Sequence, residues 1–556
     1  MQAIADRLGG LAGWRRWLAA FVFGVLSVLA MAPWHVWPIL FLTLSGLTWL
    51  LDGAIFQNSD ESATATWRQV RDGKRVRAAA AVGWFFGFGY FLAGLYWIGE
   101  AFLVEAEKFA WLLPFAVSML PAGLALFYGL ATAAAALFWR AGAERIIALA
   151  IAFACCEWLR GHVLTGFPWN SLGYSLTGND ALMQLAAIFG VYALAFWAVL
   201  LFAAPAALSV AGGIGGACPL THRLALPLVM VVLLGGAMIW GTSRLEAKTE
   251  WVDDVKLRLV QPNVPQREKW KPENQRWIFA RLLEQSRRDG AGRVDDLGDV
   301  THVIWPESSL PFLLLRTNAA LEAIARLLPD KSVLAVGGIR MIDPPSNNSS
   351  RRRVFNSLMA IDHNGSLISV YDKIHLVPFG EYLIFQDLME WVGLEQLTRM
   401  AGGFDSGDGP RRLSLPGAPP ASPLICYEAI FSDDVTPRRG NTSWMLNVTN
   451  DAWFGSTSGP LQHFHQARVR SVEEGLPLIR VANNGISAVI DSYGRVLSKL
   501  DLNIKGSIDS RLPLSIAPTV FKRFADSIFI ICLCLGAASY VMLCTSYSRT
   551  RPLPRA

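Results

Sequence analysis

The stretch Pro423-Leu424-Ile425-Cys426-Tyr427-Glu428 is a short apolar run that ends in a thiol and a carboxylate. A run of this length, bounded by turn-forming residues, indicates a buried strand. Similar β-rich runs alternate with stretches of helical spacing, at 256–260, 302–305, 333–336, 357–361, 367–371, 424–427, 444–448 and 488–491. Between them lie the turn signals Gly337-Gly338, His363-Asn364-Gly365 and Ser492-Tyr493-Gly494. Alternating strands and helices predict a layered α/β domain over 252–513.

Two further polar residues lie, like Cys426, at the end of a predicted strand. Glu307 follows the run 302–306, and Lys373 follows the run 367–372. Open α/β sheets assemble their sites beyond the ends of strands, so the fold could bring these residues together. A thiolate is the nucleophilic form of cysteine, a carboxylate can take the thiol proton, and an ammonium can stabilise the anions that follow. The three residues therefore predict nucleophilic catalysis by Cys426.

Each of these residues also has an ordinary structural explanation. A lone cysteine is often a small buried hydrophobic residue, and Glu307 and Lys373 taken singly could form a surface ion pair. The chain has seven cysteines, and the others lie in or beside apolar runs. No CxxC or Cys/His spacing predicts a metal site. His463 and His465 stand close together, but no further ligand residues accompany them in the sequence, which favours hydrogen-bonded polar residues.

The rest of the chain has the composition of a membrane protein. Of 556 residues, 53% are hydrophobic and only 17% are charged, whereas soluble domains carry about 25% charge. Runs long enough to cross a bilayer lie at 17–31, 36–55, 78–98, 109–138, 146–159, 183–210, 224–240 and 528–543. We predict an α-helical membrane bundle of about eight transmembrane helices. It comprises an N-terminal bundle over 1–245, a C-terminal helix over 525–547 and a cytoplasmic tail over 548–556.

Positive charges in the short loops predict the orientation, because cytoplasmic loops are enriched in lysine and arginine. They cluster before the first span, in alternate loops and after the last span, at Arg7, Arg15, Arg16, Arg68, Arg71, Lys74, Arg75, Arg77, Arg140, Arg145, Arg223, Arg549, Arg551 and Arg555. This places the N-terminus inside and, after seven spans, the middle domain on the extracytoplasmic face. The net charge of +6 is not organised into a basic, aromatic-interleaved patch, so we expect no nucleic-acid partner.

The sequence around the three polar residues resembles the carbon–nitrogen hydrolase, or nitrilase, superfamily. Trp305-Pro306-Glu307, Tyr371-Asp372-Lys373 and Cys426-Tyr427-Glu428 are similar to its three motifs, in its order. The chain further resembles the membrane branch of that superfamily, the apolipoprotein N-acyltransferases. The motifs that carry this second resemblance are Gln261-Pro262-Asn263-Val264-Pro265-Gln266, Lys373-Ile374-His375-Leu376-Val377-Pro378-Phe379-Gly380-Glu381-Tyr382, Thr449-Asn450-Asp451-Ala452-Trp453-Phe454-Gly455, Glu157-Trp158-Leu159-Arg160-Gly161 and Phe167-Pro168-Trp169.

The resemblance implies a fold, an activity and a location. The fold is an α-β-β-α sandwich inserted into the membrane bundle, with Glu307, Lys373 and Cys426 as its catalytic set. The activity is transfer of a fatty acyl chain from a phospholipid, through a Cys426 thioester, to the amine of S-diacylglyceryl-cysteine at the N-terminus of an apolipoprotein. No metal or organic cofactor is implied, and we expect a monomer. The location is the bacterial inner membrane, with the catalytic domain on the periplasmic face.

Other residues are candidates for supporting or substrate-binding roles, namely Glu381, Glu428, Tyr427, Asn356 and Trp270. The region 375–391 is rich in aromatic and aliphatic residues, which predicts either an arm that enters the bilayer or the core of a buried loop. We interpret Arg351-Arg352-Arg353 as a solvated charge run. Two alternative functions stay open: a membrane-tethered amidase or nitrilase, and a transporter with an accessory soluble domain. A transporter would carry ionisable residues inside its spans, whereas Asp52, Glu100 and Glu157 are predicted at span ends.

Overall fold

The computed structural model describes residues 1–56, 73–210, 220–295, 297–344, 352–391, 396–398, 403–409, 411–432, 434–437 and 441–549. Arg68, Arg71, Arg351, Arg551 and Arg555, which the sequence analysis used, lie outside these ranges. The chain divides into two compact units. One comprises Met1–Tyr96, Leu113–Glu246 and Thr519–Ala556, and the other comprises Trp97–Leu112 and Ala247–Pro518.

The first unit contains helices and no β-strand among its described residues. Its α-helices are α1 (Gln2–Gly9), α2 (Trp14–Ser27), α3 (Ile39–Phe56), α4 (Gly73–Leu95), α7 (Leu113–Ala136), α8 (Glu144–His162), α9 (Asp180–Met183), α10 (Ala186–Ala203), α11 (Leu220–Leu245), α17 (Val520–Phe524) and α18 (Asp526–Arg549). Six segments of the described chain are long and apolar enough to cross a membrane: Ile39–Phe56, Gly73–Leu103, Ala106–Ala136, Ala186–Leu208, Leu220–Leu245 and Asp526–Thr545. The predicted membrane bundle is thus present.

The predicted number of about eight spans is approximate, because two of them fall on helices outside these six. The span at 17–31 lies on α2, which has 14 residues, fewer than the roughly 20 that cross a bilayer. The span at 146–159 lies on α8, which carries Glu157 and Arg160. Both are buried and paired with each other, and Glu157 also accepts a hydrogen bond from Tyr128 Oη at 2.7 Å. The charges that lower the apolar character of α8 are therefore neutralised inside the first unit.

The second unit is built around two β-sheets. The strands are β1 (Trp251–Gln261), β2 (His302–Trp305), β3 (Val333–Ile342), β4 (Arg353–Asp362), β5 (Leu367–Asp372), β6 (Ala421–Ile425), β7 (Trp444–Thr449), β8 (Leu478–Ala482), β9 (Ser487–Ile490), β10 (Val496–Leu500) and β11 (Gly506–Pro513). One sheet has six strands in the order β11-β1-β2-β3-β4-β5, and the other has five in the order β10-β9-β8-β7-β6. In each sheet three successive strands are parallel, β1 to β3 in the first sheet and β6 to β8 in the second.

Helices cover the outer faces of the two sheets. The helices of this unit are α5 (Gly99–Leu103), α6 (Ala106–Phe109), α12 (Gln266–Lys269), α13 (Gln275–Ser286), α14 (Asn318–Leu327), α15 (Gln386–Trp391) and α16 (Ser458–Glu474). Apolar side chains of both sheets form one core between them. A second core joins the first sheet to α13 and α14, and a third joins the second sheet to α16. These layers form the predicted α-β-β-α sandwich.

The prediction that Gly337-Gly338 forms a turn is wrong, because both glycines lie inside β3. Gly337 is required there for space. A Cβ atom at this position would contact the Pro306 carbonyl oxygen and would lie 2.6 Å from Glu307 Cα. Ser309 also donates its backbone N–H to the Gly337 carbonyl at 2.9 Å. The glycine therefore lets the chain that carries Glu307 lie directly against β3.

Candidate active site

The three residues singled out in the sequence follow three different strands. Glu307 follows β2, Lys373 follows β5, and Cys426 follows β6. All three are buried, with exposed fractions of 6%, 1% and 7%. Cys426 begins a short 3-10 helix with a φ of 50°, a conformation that non-glycine residues seldom adopt and that is found at functional sites. The backbone turns at the thiol instead of continuing the strand.

Lys373 lies between two carboxylates. Its Nζ is 2.9 Å and 3.0 Å from the two carboxylate oxygens of Glu381 and 3.6 Å from Glu307 Oε1. Asn356 Nδ2 donates to Glu307 Oε1 at 2.8 Å and to Glu381 Oε1 at 2.9 Å, which holds the two side chains together. Burial opposes the charged form of Lys373, but Glu381 and Glu307 outweigh it and raise the pKa of the ammonium. Lys373 is therefore a permanent cation in the resting site.

The Cys426 thiol is protonated in the resting site. Burial raises its pKa, and the Glu307 carboxylate adds to this effect, while Lys373 opposes it. A buried thiol needs a base that removes its proton as the new bond forms. Glu307 is the carboxylate whose charge acts most strongly on the thiol, which makes it the candidate base. The arrangement thus combines a thiol, a carboxylate and an ammonium in one buried site.

Glu428 connects the loop after β5 to the turn that carries Cys426. Its Oε1 accepts hydrogen bonds from Tyr371 Oη at 2.8 Å and from the backbone N–H groups of Ile374 and His375 at 2.7 Å and 3.2 Å. Its Oε2 accepts from the backbone N–H of Ile425 at 2.7 Å. Glu428 therefore fixes the positions of the residues that adjoin Lys373 and Cys426.

We expect Glu428→Gln to lower the free energy of unfolding by about 2–4 kcal/mol. Both carboxylate oxygens of Glu428 accept hydrogen bonds, so the amide NH₂ of glutamine would replace one acceptor and point its own hydrogens at a buried donor. Thermal unfolding of the purified protein measures this. Glu284→Gln is the matched control, since Glu284 pairs with Arg288 at the surface. Equal stability of Glu428→Gln and the control would contradict the bridging role.

The structure separates the remaining candidates. Glu381 and Asn356 lie in the site, in the contacts given above. Tyr427 is buried beside Cys426, with its ring 5.1 Å from that of Phe431. Trp270 is 44% exposed, so it lies at the surface of the unit.

Sequence reasoning missed a buried polar cluster behind Cys426. One ring nitrogen of His463 lies 2.8 Å from Asp451 Oδ1, and the other lies 3.1 Å from the Cys426 carbonyl oxygen. Arg480 Nη2 lies 2.9 Å from Asp451 Oδ2. Burial opposes ionisation of Asp451, but Arg480 and His463 outweigh it and lower its pKa to about 2. The signal for Asp451 was its place in the Thr449–Gly455 motif.

The predicted hydrogen-bonded role of His463 is confirmed by its contacts with Asp451 and the Cys426 carbonyl, although residues that could bind a metal do lie beside it in the fold. Ligand atoms of Cys426, Asp451 and His463 lie within 4.8 Å of one another. Arg480 already pairs with Asp451, and a metal ion would stand beside that cation. We assign the cluster to support of the Cys426 backbone. His465 is buried but lies outside this group.

Lys269 is a second missed residue. It ends α12, is 1% exposed, and donates from Nζ to the backbone carbonyl of Glu307 at 3.3 Å. The sequence offers only its position next to Trp270.

Comparison with known proteins agrees with the two parts of the fold. The family model described as apolipoprotein N-acyltransferase N-terminal domain matches residues 23–204, and the carbon-nitrogen hydrolase model matches residues 261–517. A relative from Rhodopseudomonas palustris, named apolipoprotein N-acyltransferase, is 47% identical over 519 residues, which are 92% of each chain. The chain belongs to the apolipoprotein N-acyltransferase family.

Two further relatives of the same name support this membership. One from Bradyrhizobium diazoefficiens is 45% identical, and one from Brucella suis is 42% identical, each over 92% of both chains. The family resemblance stated from the motifs is thereby confirmed. The predicted acyltransferase class is confirmed with it, and neither alternative function is better supported.

Proposed function

We propose that the chain transfers a fatty acyl group from a membrane phospholipid to the N-terminal amine of S-diacylglyceryl-cysteine on an apolipoprotein. The main support for this proposal is that Glu307, Lys373 and Cys426 lie in one buried site, in a chain that belongs to this family. The roles of the three residues are part of the proposal.

In the first step, Glu307 takes the Cys426 proton while Sγ attacks an ester carbonyl carbon of the phospholipid. The carbonyl oxygen gains negative charge, which the Lys373 cation stabilises. The C–O ester bond then breaks, and the proton held by Glu307 passes to the departing oxygen. The products are a thioester on Cys426 and a lysophospholipid.

In the second step, the neutral α-amine of the lipoprotein attacks the thioester carbonyl. A C–N bond forms, the C–S bond breaks, and Cys426 leaves as a thiolate. Glu307 accepts a proton from the attacking nitrogen and returns it to the thiolate. The free enzyme is regenerated with a protonated thiol, which is the form that burial favours.

Exposed aromatic side chains support a lipid substrate. Phe379, Phe385 and Trp391 in the region 375–391 are 49%, 76% and 82% exposed. Soluble domains seldom expose so many large apolar groups together without a binding partner. Leu383 in the same region is buried, so the loop has an internal anchor. We interpret the exposed side chains as an arm that enters the bilayer and admits acyl chains, with Trp270 as a further headgroup-level contact.

Location and organisation belong to the same proposal. The chain is a membrane protein, and we place it in the bacterial inner membrane with the catalytic domain on the periplasmic face. The support is the alternation of basic loops, of which Lys74, Arg75 and Arg77 lie at the start of α4. The division into 1–245, 252–513, 525–547 and 548–556 and the monomeric state stay predictions.

Replacement of the enzyme in cells tests the function. In a bacterium whose own apolipoprotein N-acyltransferase can be depleted, expression of this chain should restore an N-terminal acyl group on lipoproteins. Mass spectrometry of lipoprotein N-termini measures this, and Cys426→Ala is the inactive control. Lipoproteins that keep a free α-amine, although the intact chain is present in the membrane, would refute the proposal. Release of ammonia from simple amides by the purified protein would instead favour the amidase alternative.

A further inference from the structure

Lys269 is a buried ammonium that is only partly satisfied. Within the described residues its one hydrogen-bond partner is the Glu307 backbone carbonyl, 3.3 Å from Nζ. An ammonium carries three donors, so two remain without a protein acceptor. A buried donor without a partner is costly, which is why such groups mark places where a ligand supplies the missing acceptor.

Lys373 differs from Lys269 in this respect. The donors of Lys373 are directed at the two oxygens of Glu381 and, at 3.6 Å, at Glu307. It must loosen one of these contacts to meet a new anion. Lys269 needs no such rearrangement. Of the two buried lysines that lie against Glu307, Lys269 is the one whose ammonium has donors without a protein acceptor in the resting site.

A hydrogen-bond network fixes the short helix that carries Lys269. Gln266, at the start of α12, accepts from Asn450 Nδ2 at 2.8 Å, and Asn450 Oδ1 accepts from Asn483 Nδ2 at 2.9 Å. Asn483 also exchanges hydrogen bonds with the backbone of Val264, at 2.8 Å and 3.1 Å. The loop before α12 is therefore bound to residues that follow β7 and β8. Preorganised donors of this kind are effective because they need no reorganisation during reaction.

The charge of Lys269 acts on the two reacting groups. Burial lowers its pKa to about 8, and the titratable groups that oppose this shift are Glu307 and Cys426. Lys269 is therefore near enough to Glu307 and Cys426 for their charges to favour its ammonium, while no carboxylate forms an ion pair with it within the described residues. The Lys269 ammonium can therefore form a hydrogen bond with a negatively charged oxygen that develops near Cys426 during the reaction.

We propose that Lys269 donates to the carbonyl oxygen of the acyl group as that oxygen becomes negative, and so is a second cation of the oxyanion site. The proposal rests on the proposed function, because it needs the Cys426 acyl transfer. No bond to Lys269 forms or breaks. The negative charge rises on the oxygen as the S–C bond forms and returns when the C–O bond breaks, and Lys269 keeps its proton throughout. In this assignment Lys373 and Lys269 stabilise the negative oxygen together.

Single-turnover acylation of the purified full-length protein tests this role. The probe is a phospholipid with a radiolabelled acyl chain in detergent micelles, and the readout is the label on Cys426 released by hydroxylamine. We expect Lys269→Met to slow label formation about 10²-fold, the usual effect of removing one oxyanion donor. Lys271→Met is the matched control, because Lys271 is two residues away, exposed and paired with Glu268. It should label at the wild-type rate.

The pH dependence separates a catalytic cation from a structural one. Lys269 must be protonated to act, so wild-type acylation should fall as the pH rises through the pKa of about 8 that burial gives this lysine. Lys373 cannot cause such a fall, because its pKa is raised. Lys269→Arg keeps its charge at every accessible pH, so its acylation rate should not fall over this range.

The thermal unfolding midpoint of the same preparations controls for folding, and Lys269→Met should unfold at the wild-type temperature. Acylation of Lys269→Met within threefold of wild type would overturn the proposal, and so would a loss of acylation that is accompanied by a lowered unfolding midpoint. Absence of label on wild-type Cys426 would instead refute the proposed function itself.

Discussion

Replacement of Cys426 by alanine is expected to remove the hydroxylamine-sensitive acyl adduct entirely and to lower acyl transfer on the order of 10⁴-fold or more, as loss of a catalytic nucleophile does. Cys426→Ser should behave almost as severely. A serine hydroxyl is far harder to ionise than a thiol, and Glu307 would have to deprotonate it in a place where burial already penalises the anion. The measurement is radiolabel transfer from phospholipid to protein, followed by hydroxylamine release.

A second cysteine-to-alanine variant controls this experiment. Cys534 lies on α18, is exposed, and is free of disulfide bonds. Cys534→Ala should label and transfer at the wild-type rate. Labelling of Cys426→Ala at the wild-type level would show that the acyl group resides on another residue, and the nucleophile assignment would then be wrong.

Glu307→Gln should have opposite effects on two reactions of the same thiol. Acyl transfer should fall 10²- to 10⁴-fold, the range for loss of a general base. Simple alkylation of Cys426 should become faster at neutral pH, because the Glu307 charge helps to raise the thiol pKa and its removal lets the thiolate form at lower pH. The amide is nearly isosteric with the carboxylate, and Asn356 can still donate to its oxygen.

The two effects are measured on one preparation, by phospholipid acylation and by the pH profile of iodoacetamide alkylation. Glu322→Gln is the control, since Glu322 is exposed and pairs with Arg326 at the surface. Slower alkylation together with slower acylation would indicate a disturbed fold. Acyl transfer within threefold of wild type would exclude Glu307 as the base.

Much of the sandwich was predictable because its buried strands are continuous apolar runs. The run 302–305 matches β2 in full. The run 424–427 was predicted to end two residues beyond the end of β6, because Cys426 leaves the strand with a positive φ that no periodicity reveals. β8 was missed because Arg480 interrupts its apolar character. In the fold Arg480 is fully buried and pairs with Asp451, an interaction between distant parts of the chain.

The active-site residues were predictable where a local sequence motif marks them, and the contacts between them were not. Glu307, Lys373 and Cys426 were predicted from motifs, whereas the contacts among them depend on chain segments far apart in sequence. Asn356 joins Glu307 to Glu381, and Lys269 reaches the Glu307 backbone from a segment 38 residues earlier. In the sequence Lys269 and Lys271 flank Trp270 symmetrically, and nothing distinguishes one lysine from the other. Only the fold shows that this one of the two lysines is buried.

The close approach at Gly337 has a consequence for how mutational scans of this family are interpreted. This position supplies no functional group, yet any side chain there would displace the segment that carries the base. Substitutions at Gly337 would therefore produce the phenotype of an active-site variant, with the protein inserted and folded but inactive. A site map inferred from loss of activity alone would count it among the reacting residues. Gly337 contributes only space, because its side chain is a single hydrogen atom and Glu307 packs directly against it.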